Sequence, residues 1–342
     1  MTHHSRQVTL RRVPDGVPVE TDVEITSVEL PHPSEGQLLV VNRWLSVEPA
    51  VRIRMGGSGS SLPKLPNYQL GAPLEGACIG EVVESHAEGY QPGDLIIHAQ
   101  GWREAAVVEP ANPAHRVDRI PRGEDIPAEK YLGLLALQGF TAHVGLFHVA
   151  NLRKGDVVWV SAAAGAVGML AVQIAKLNGN KVIATAGSAE KVAFLKNTLG
   201  ADEAFDYHDG PLVQLLEKAA PEGVDVYFDN VGGDHLSAAL QVLRVGGRVA
   251  LCGLISTYNQ AETAPGPSPM FAMIAKNLTI KGFLAVQYAE HLAEYRDQAR
   301  RWIAEDAVHY PETIVHGIES APGALVDVLQ GRNLGKMLVD LR

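Results

Sequence analysis

The sequence predicts an α/β protein: a doubly wound parallel sheet joined to a second, mainly β module. Three observations carry the prediction. An apolar strand, a glycine-bearing turn, a helix and another apolar strand follow one another between Asp156 and Lys191. Short buried strands and helices then alternate as far as Glu305. The stretch before Ala128, by contrast, holds short strands punctuated by Gly, Pro and Asn.

The chain of 342 residues exceeds one typical core, so two domains are expected. A hydrophobic fraction of 46% with 20% charged residues describes an ordinary soluble chain. The net charge of −10 argues against non-specific nucleic-acid binding and leaves a small molecule as the expected partner. Cys78 and Cys252 cannot build a disulfide framework or a four-thiolate zinc site. The opening MTHHSRQVTLRR lacks the apolar core of a signal peptide, with His3 and His4 at an expectedly frayed end. No apolar run reaches the ~20 residues of a membrane helix, so no membrane partner and a cytoplasmic location are expected.

In the first region, Val19 to Leu30 alternates apolar and polar residues, and Gln37 to Leu45 is strongly β-forming. Met55 to Gly71 is a Gly/Ser/Pro-rich loop. Gly76 to Glu84 and Asp94 to Ala99 read as further strands around the turn Gln91-Pro92-Gly93-Asp94, which together suggest a barrel-like module. Glu129 to Val149 is helical in pattern.

Val157 to Val160 is then a strand buried on both faces, Met169 to Leu177 a helix, and Val182 to Thr185 the second strand. The turn between them places Ala163 where a G-x-G-x-x-G fingerprint has its first glycine and keeps Gly165 and Gly168 as the second and third. Gly165, Ala166, Val167 and Gly168 would thus lay backbone amides against a dinucleotide pyrophosphate. An ordinary βα turn needing small residues is the competing reading. At the tip of the second strand an NAD site wants a carboxylate for the ribose hydroxyls. Here stand Ala186, Gly187, Ser188 and Lys191, with Glu190 already on the next helix. A hydroxyl and an ammonium suit a 2′-phosphate, which favours NADP. Lys191 also reads as a solvated helix lysine.

Helices follow at Ala189 to Leu199, Pro211 to Ala220 and Leu236 to Leu243, and strands at Ala204 to Tyr207, Val224 to Asp229, Gly247 to Cys252 and Leu278 to Phe283. Ala289 to Glu305 is a further helix, and His309 to Arg342 returns to extended patterns that would rejoin the β module. The expected division is residues 1–127 with 309–342 for the β module and residues 128–308 for the cofactor domain.

Five motifs together resemble the zinc-independent branch of the medium-chain dehydrogenase/reductase superfamily. They are Trp44 to Pro49, Ala162 to Gly168, Phe228 to Gly233, Cys252 to Asn259 and Gly331 to Lys336. This branch holds the NADPH-dependent alkenal and enone reductases, among them prostaglandin, 2-alkenal and curcumin reductases. The resemblance implies a Rossmann cofactor domain, a GroES-like catalytic domain, NADPH and a homodimer. It places Lys191 and Tyr207 on the 2′-phosphate; Tyr207 read alone is equally a strand-end tyrosine packing its ring. It adds Asn230, the segment Cys252, Gly253, Leu254, Ile255, Ser256, Thr257 and Tyr258, then Phe283, Leu284, Ala285 and Asn333 as cofactor contacts. Asn230 to Gly233 also reads as a plain turn, and Cys252 as a small buried side chain.

Zinc-dependent relatives carry a Gly-His-Glu motif where this chain has Gly71-Ala72-Pro73-Leu74-Glu75-Gly76 without the histidine, and thirteen scattered histidines show no H-E-x-x-H spacing. Activation is therefore expected from hydrogen bonds rather than a metal. The implied reaction delivers hydride to the β-carbon of an enone or enal and a proton to the α-carbon. Tyr258 is the candidate donor to the developing enolate oxygen, or a cofactor contact that transfers no proton. Two departures reshape the pocket: Glu48-Pro49-Ala50-Val51-Arg52 for Asp-Pro-Tyr-Met-Arg, and Phe140-Thr141-Ala142-His143 for Leu-Thr-Ala-Tyr. His143 reads as a polar pocket group or as a packed histidine. A quinone reductase with the same cofactor, and a non-catalytic NADPH-binding protein, are the alternative functions.

Overall fold

The run Val157-Val158-Trp159-Val160 offers water no polar side chain, and it forms an inner strand of a six-stranded parallel sheet. The computed structural model describes residues 3–57, 65–260, 262 and 266–342, so residues 58–64 of the expected Gly/Ser loop lie outside the described residues. The strands are β1 (Val157–Val160), β2 (Lys181–Ala186), β3 (Glu203–Asp206), β4 (Val224–Asp229), β5 (Leu243–Leu251) and β6 (Thr279–Gly282). Across the sheet they run β3-β2-β1-β4-β5-β6. The winding reverses between β1 and β4, which opens a crevice at the carboxyl ends of the strands.

Helices α1 (Gly168–Leu177), α2 (Ala189–Asn197), α3 (Leu212–Ala219) and α4 (Gly233–Val242) carry the chain between successive strands. In α3, Leu212, Leu216 and Ala219 recur on one face and pack with Trp159, Tyr227 and Leu240 in one core cluster. This sheet belongs to a compact unit of Gly133–Thr257 and Ala264–Pro311.

The other compact unit comprises Met1–Leu132, Tyr258–Thr263 and Glu312–Arg342. Its seven-stranded mixed sheet orders Glu312–His316, Lys336–Asp340, Leu38–Ser46, Cys78–Ser85, Leu95–His98 and Asp118–Arg119, with Ala105–Val108 also paired to Leu38–Ser46. Val8, Leu10, Leu45, Trp102 and Met337 meet in its core.

Several expectations are corrected. His3 and His4 are not frayed: strand His3–Leu10 pairs antiparallel with Val23–Leu30, His3 opposite Leu30. The strand expected from Gly247 begins at Leu243, because Gly246 and Gly247 are carried inside it. The pattern from Glu129 to Val149 splits into a 3-10 turn, a helix Leu137–His143 and a π-helical stretch Val144–Val149. The helix expected from Ala289 starts at Leu292, after a 3-10 stretch kinked at Tyr288. Within the C-terminal segment read as extended lies a helix, Ala321–Leu329. Among the described residues, no helix is long and apolar enough to cross a membrane.

Helix α1 starts hard against the end of β1. A Cβ on Gly168 would stand 2.3 Å from the Ala162 carbonyl oxygen and 2.8 Å from the Ala163 Cα. Both obstacles are backbone and cannot swing aside. Gly168→Ala should therefore cost about 2 kcal/mol or more and lower the thermal unfolding midpoint; an unchanged midpoint would contradict this packing.

Candidate active site

Within the Rossmann unit, the predicted site residues stand at the carboxyl ends of β1 to β6. After β1 the chain turns through Ala162, a non-glycine residue at φ +44°. That turn aims the Ala162 carbonyl at the Gly165 amide, 3.0 Å away. A Cβ on Gly165 would meet that oxygen at 3.3 Å and nothing else within 4 Å, so the outer side of this residue is open. Helix α1 begins after Val167 with no side-chain cap. Gly165, Ala166, Val167 and Gly168 thus present an uncapped helix start beside an open glycine, which fits a phosphate group.

The tip of β2 gathers the second group. Ser188 caps α2, its hydroxyl accepting the Lys191 amide at 3.3 Å. The Tyr207 amide donates to the Ala186 carbonyl at 3.1 Å. A Cβ on Gly187 would lie 3.1 Å from Tyr207 Cε1 and 3.2 Å from its hydroxyl, so Tyr207 borders the tip of β2. Burial lowers the pKa of the half-buried Lys191 ammonium, while Glu190 opposes the shift. Burial, then Asp206, raises that of the Tyr207 phenol.

The third group sits at the reversal between β1 and β4, and its centre was not anticipated. Asp229 is fully buried. Its Oδ1 lies 2.7 Å from the Tyr227 hydroxyl, 2.9 Å from the Val231 amide and 2.8 Å from the Gly232 amide. Ser161 Oγ donates to it at 3.4 Å and is itself 2.9 Å from the Tyr227 hydroxyl. Asp229 Oδ2 has no hydrogen-bond partner among the described residues. Burial raises the carboxyl pKa against the pull of these donors. Asn230 is fixed by Nδ2 donating to the Ser161 carbonyl at 2.8 Å and by its amide donating to Ser161 Oγ at 3.0 Å. An acid closing the strand directly after Val226-Tyr227-Phe228 was the available sign of this centre.

The Asp229 carbonyl accepts from the amides of Cys252 at 2.8 Å and Gly253 at 3.0 Å. The Ile255 amide donates to Asn230 O and the Ser256 amide to Val231 O, while the Thr257 amide turns back onto Leu254 O. Gly232 sits at φ +73°, and a Cβ there would strike Leu254 Cδ2 at 2.4 Å. Asn230 to Gly233 thus form the bend between β4 and α4, as the turn reading expects. The Cys252 thiol is pushed up to about 12 by burial and then by Asp229. After β6, Phe283 and Ala285 are buried and Leu284 is partly exposed; the Phe283 ring meets Phe228 edge-on at 6.4 Å. His143 is ringed by Phe147, His148 and Tyr295, and burial lowers its pKa to about 4, as a packed neutral imidazole requires.

Tyr258 and Asn333 belong to the other unit. Tyr258 is half-buried and opens a segment secured by Arg52, which is fully buried. The Arg52 guanidinium donates to Gly16 O at 3.0 Å, Gly56 O at 2.6 Å and Asn259 Oδ1 at 3.2 Å. Asn333 Nδ2 donates to Gly335 O at 2.7 Å, and the following Lys336 is buried with its ammonium on Ser46 Oγ at 2.7 Å. No group of three or more His, Cys, Asp or Glu that could hold a metal ion occurs among the described residues.

Residues 166–305 match the family model described as zinc-binding dehydrogenase, and residues 6–116 match the N-terminal domain of oxidoreductase. The chain is 38% identical over 340 residues to the NADP(+)-dependent 2-alkenal reductase of Nicotiana tabacum, covering 98% of this chain and 97% of that protein. It is 33% identical over 341 residues to the NADPH-dependent curcumin reductase of Escherichia coli, covering 98% and 96%. The crystal structure of CurA in complex with NADPH from Vibrio vulnificus superposes with a TM-score of 0.91 at 33% identity, covering 98% of this chain and 99% of that one.

Asp229→Ala should cost about 3 kcal/mol, because the Tyr227 hydroxyl and two amides lose their acceptor. Asp229→Asn should retain most of this while abolishing a titration. A carboxyl raised in the folded state contributes stability that is full below its unfolded value and is lost as pH rises through the folded one. In urea unfolding, the stability of the natural protein minus that of Asp229→Asn should thus fall as pH rises above about 4, the range of the unfolded carboxyl; a rise would reverse the assigned shift.

Proposed function

The chain belongs to the zinc-independent medium-chain dehydrogenase/reductase family, and we propose that it reduces the C=C bond of α,β-unsaturated ketones and aldehydes with NADPH. The observation that carries the cofactor choice is the tip of β2, where Ser188, Lys191 and Tyr207 gather and the strand itself ends in Ala186-Gly187-Ser188 without the acid that a ribose diol wants. The open backbone at Gly165 and the uncapped start of α1 suit the pyrophosphate, and Asn230, Cys252 to Thr257 and Phe283 to Ala285 suit the nicotinamide half. The bound cofactor supplies the hydride.

The protein's own part is to hold the acceptor and meet the charge that develops on its carbonyl oxygen. Tyr258 is assigned as the donor to that oxygen, which stabilises the enolate and sets up protonation at the α-carbon. Arg52, through Asn259, holds the backbone that carries it. The carbonyl is polarised by hydrogen bonds, since Gly71 to Gly76 lacks the histidine of the zinc-dependent motif.

A homodimer belongs to the same proposal. Val245, Phe271 and Ile274 are 78%, 76% and 78% exposed, and the Gly246 amide bonds to Lys276 O, which sets them side by side. They flank β6, an outer strand of the parallel sheet. A mutually covered apolar patch accounts for them.

Tyr258→Phe should lower kcat for an enone about a hundredfold while leaving the KM for NADPH unchanged, followed as NADPH oxidation across enals, enones and quinones. Unchanged turnover sinks the role of Tyr258. Turnover of quinones alone favours a quinone reductase, and tight NADPH binding without oxidation favours a binding protein. Ile274→Glu should convert a dimer to monomer in light scattering after gel filtration; a natural protein already monomeric at micromolar concentration discards the dimer.

A further inference from the structure

Two of the five motifs that mark this chain, Trp44 to Pro49 and Gly331 to Lys336, meet at a buried cation. Lys336 opens the strand Lys336–Asp340 and is 1% exposed. Its Nζ donates to Ser46 Oγ at 2.7 Å and to the Val47 carbonyl at 3.1 Å. Ser46, itself fully buried, donates its hydroxyl to Glu48 Oε1 at 2.7 Å. That same carboxylate oxygen lies 3.9 Å from the ammonium. The Val47 amide closes the junction on the Met337 carbonyl at 3.2 Å.

An apolar side chain would fill this place without a charge to desolvate. Burial pulls the Lys336 ammonium down to about 8, while Glu48 opposes the shift. On the elements packed against its strand, Glu312 is engaged with Lys130, Asp327 with Arg332, Glu319 with Arg6, Arg43 with Glu81 and Arg54 with Glu75. Glu48 is the carboxylate that faces the ammonium.

What the charge holds leads to the proposed donor. The Glu48 carbonyl accepts the Val51 amide at 3.1 Å, at the start of the short helix Ala50–Arg54. Arg52 on that helix donates to Asn259 Oδ1, next to Tyr258. Lys336, Ser46, Glu48, Arg52 and Tyr258 belong to one compact unit. We propose that Lys336 is a positioning residue for the reaction: its ammonium, through Ser46 and Glu48, fixes the start of the helix from which Arg52 holds the segment carrying Tyr258. The proposal rests on the reading of Tyr258 as the enolate donor.

Activity and stability then respond to pH with opposite signs. Above about 8 the ammonium loses its proton, Glu48 loses its counter-charge, and turnover falls. A buried lysine titrating below the ordinary 10.5 costs stability while charged, and that cost is relieved as pH rises from about 8 to 10.5. A lysine that served folding alone would move activity and stability together.

The test compares the full-length natural protein with Lys336→Met and Glu48→Gln. It measures kcat for an enone between about pH 7 and about pH 10, urea unfolding over the same range, and amide hydrogen exchange at about pH 7. The natural kcat should fall about fivefold through about pH 8. Both variants should start about fivefold lower and lack that fall, with the KM for NADPH unchanged in Glu48→Gln. The stability of the natural protein minus that of Lys336→Met should rise over the same interval. Exchange should quicken in both variants at residues 47–54 and stay as it is in β1. Glu48 is partly exposed, so Glu48→Gln carries the test where Lys336→Met does not fold. A fall in kcat retained in Glu48→Gln, or activity and stability declining together, overturns the proposal. In a protein that reduces no enone the Tyr258 reading falls, and quickened exchange leaves the fastening by Lys336 standing; unchanged exchange in both variants overturns it.

Discussion

One buried carboxylate holds the active end of the parallel sheet together. Asp229 closes β4 at the place where the winding reverses. Its side chain collects the Tyr227 hydroxyl and the amides of Val231 and Gly232, and its carbonyl collects the amides of Cys252 and Gly253. Ser161, at the end of β1, joins the same oxygen and anchors Asn230. Three loops from three strands are thereby set by one residue. Burying an acid without a cation costs several kcal/mol, and convergent hydrogen-bond donors are what make it tolerable.

Glycine plays the complementary part. Gly168 and Gly232 stand where any side chain would enter backbone or Leu254, and Gly187 leaves the tip of β2 bare for its neighbours. The same absence of a Cβ serves helix packing at the first, turn geometry at the second and access at the third.

What could be read beforehand follows from range. Strands buried on both faces announce themselves as apolar runs, so Val157–Val160 and Val224–Asp229 were legible to the residue. The strand–turn–helix–strand unit around Gly165 and Gly168 was legible because its parts lie within one short stretch. Strand β5 ran early because a glycine pair that looks like a terminator is carried through it, and Ala321–Leu329 is a short helix lying between two extended patterns, passed over although Ser320, Pro322 and Gly331 flank it. Ser161 with Asp229, and Arg52 with Asn259, pair across 68 and 207 positions, and no local pattern encodes such a partnership. Arg52 is the sharper case, since among the described residues its buried guanidinium donates to two carbonyls and an amide oxygen rather than to a carboxylate.

The state of Cys252 bears on survival as much as on shape. Enals and enones are Michael acceptors, and the species they alkylate is the thiolate. A thiol pushed up to about 12 stays protonated at neutral pH. Burial pushes Cys78 up as well. Both sulfurs are thus held as thiols, the form electrophiles attack least, which on the proposed reading spares an enone reductase covalent inactivation by its own substrates.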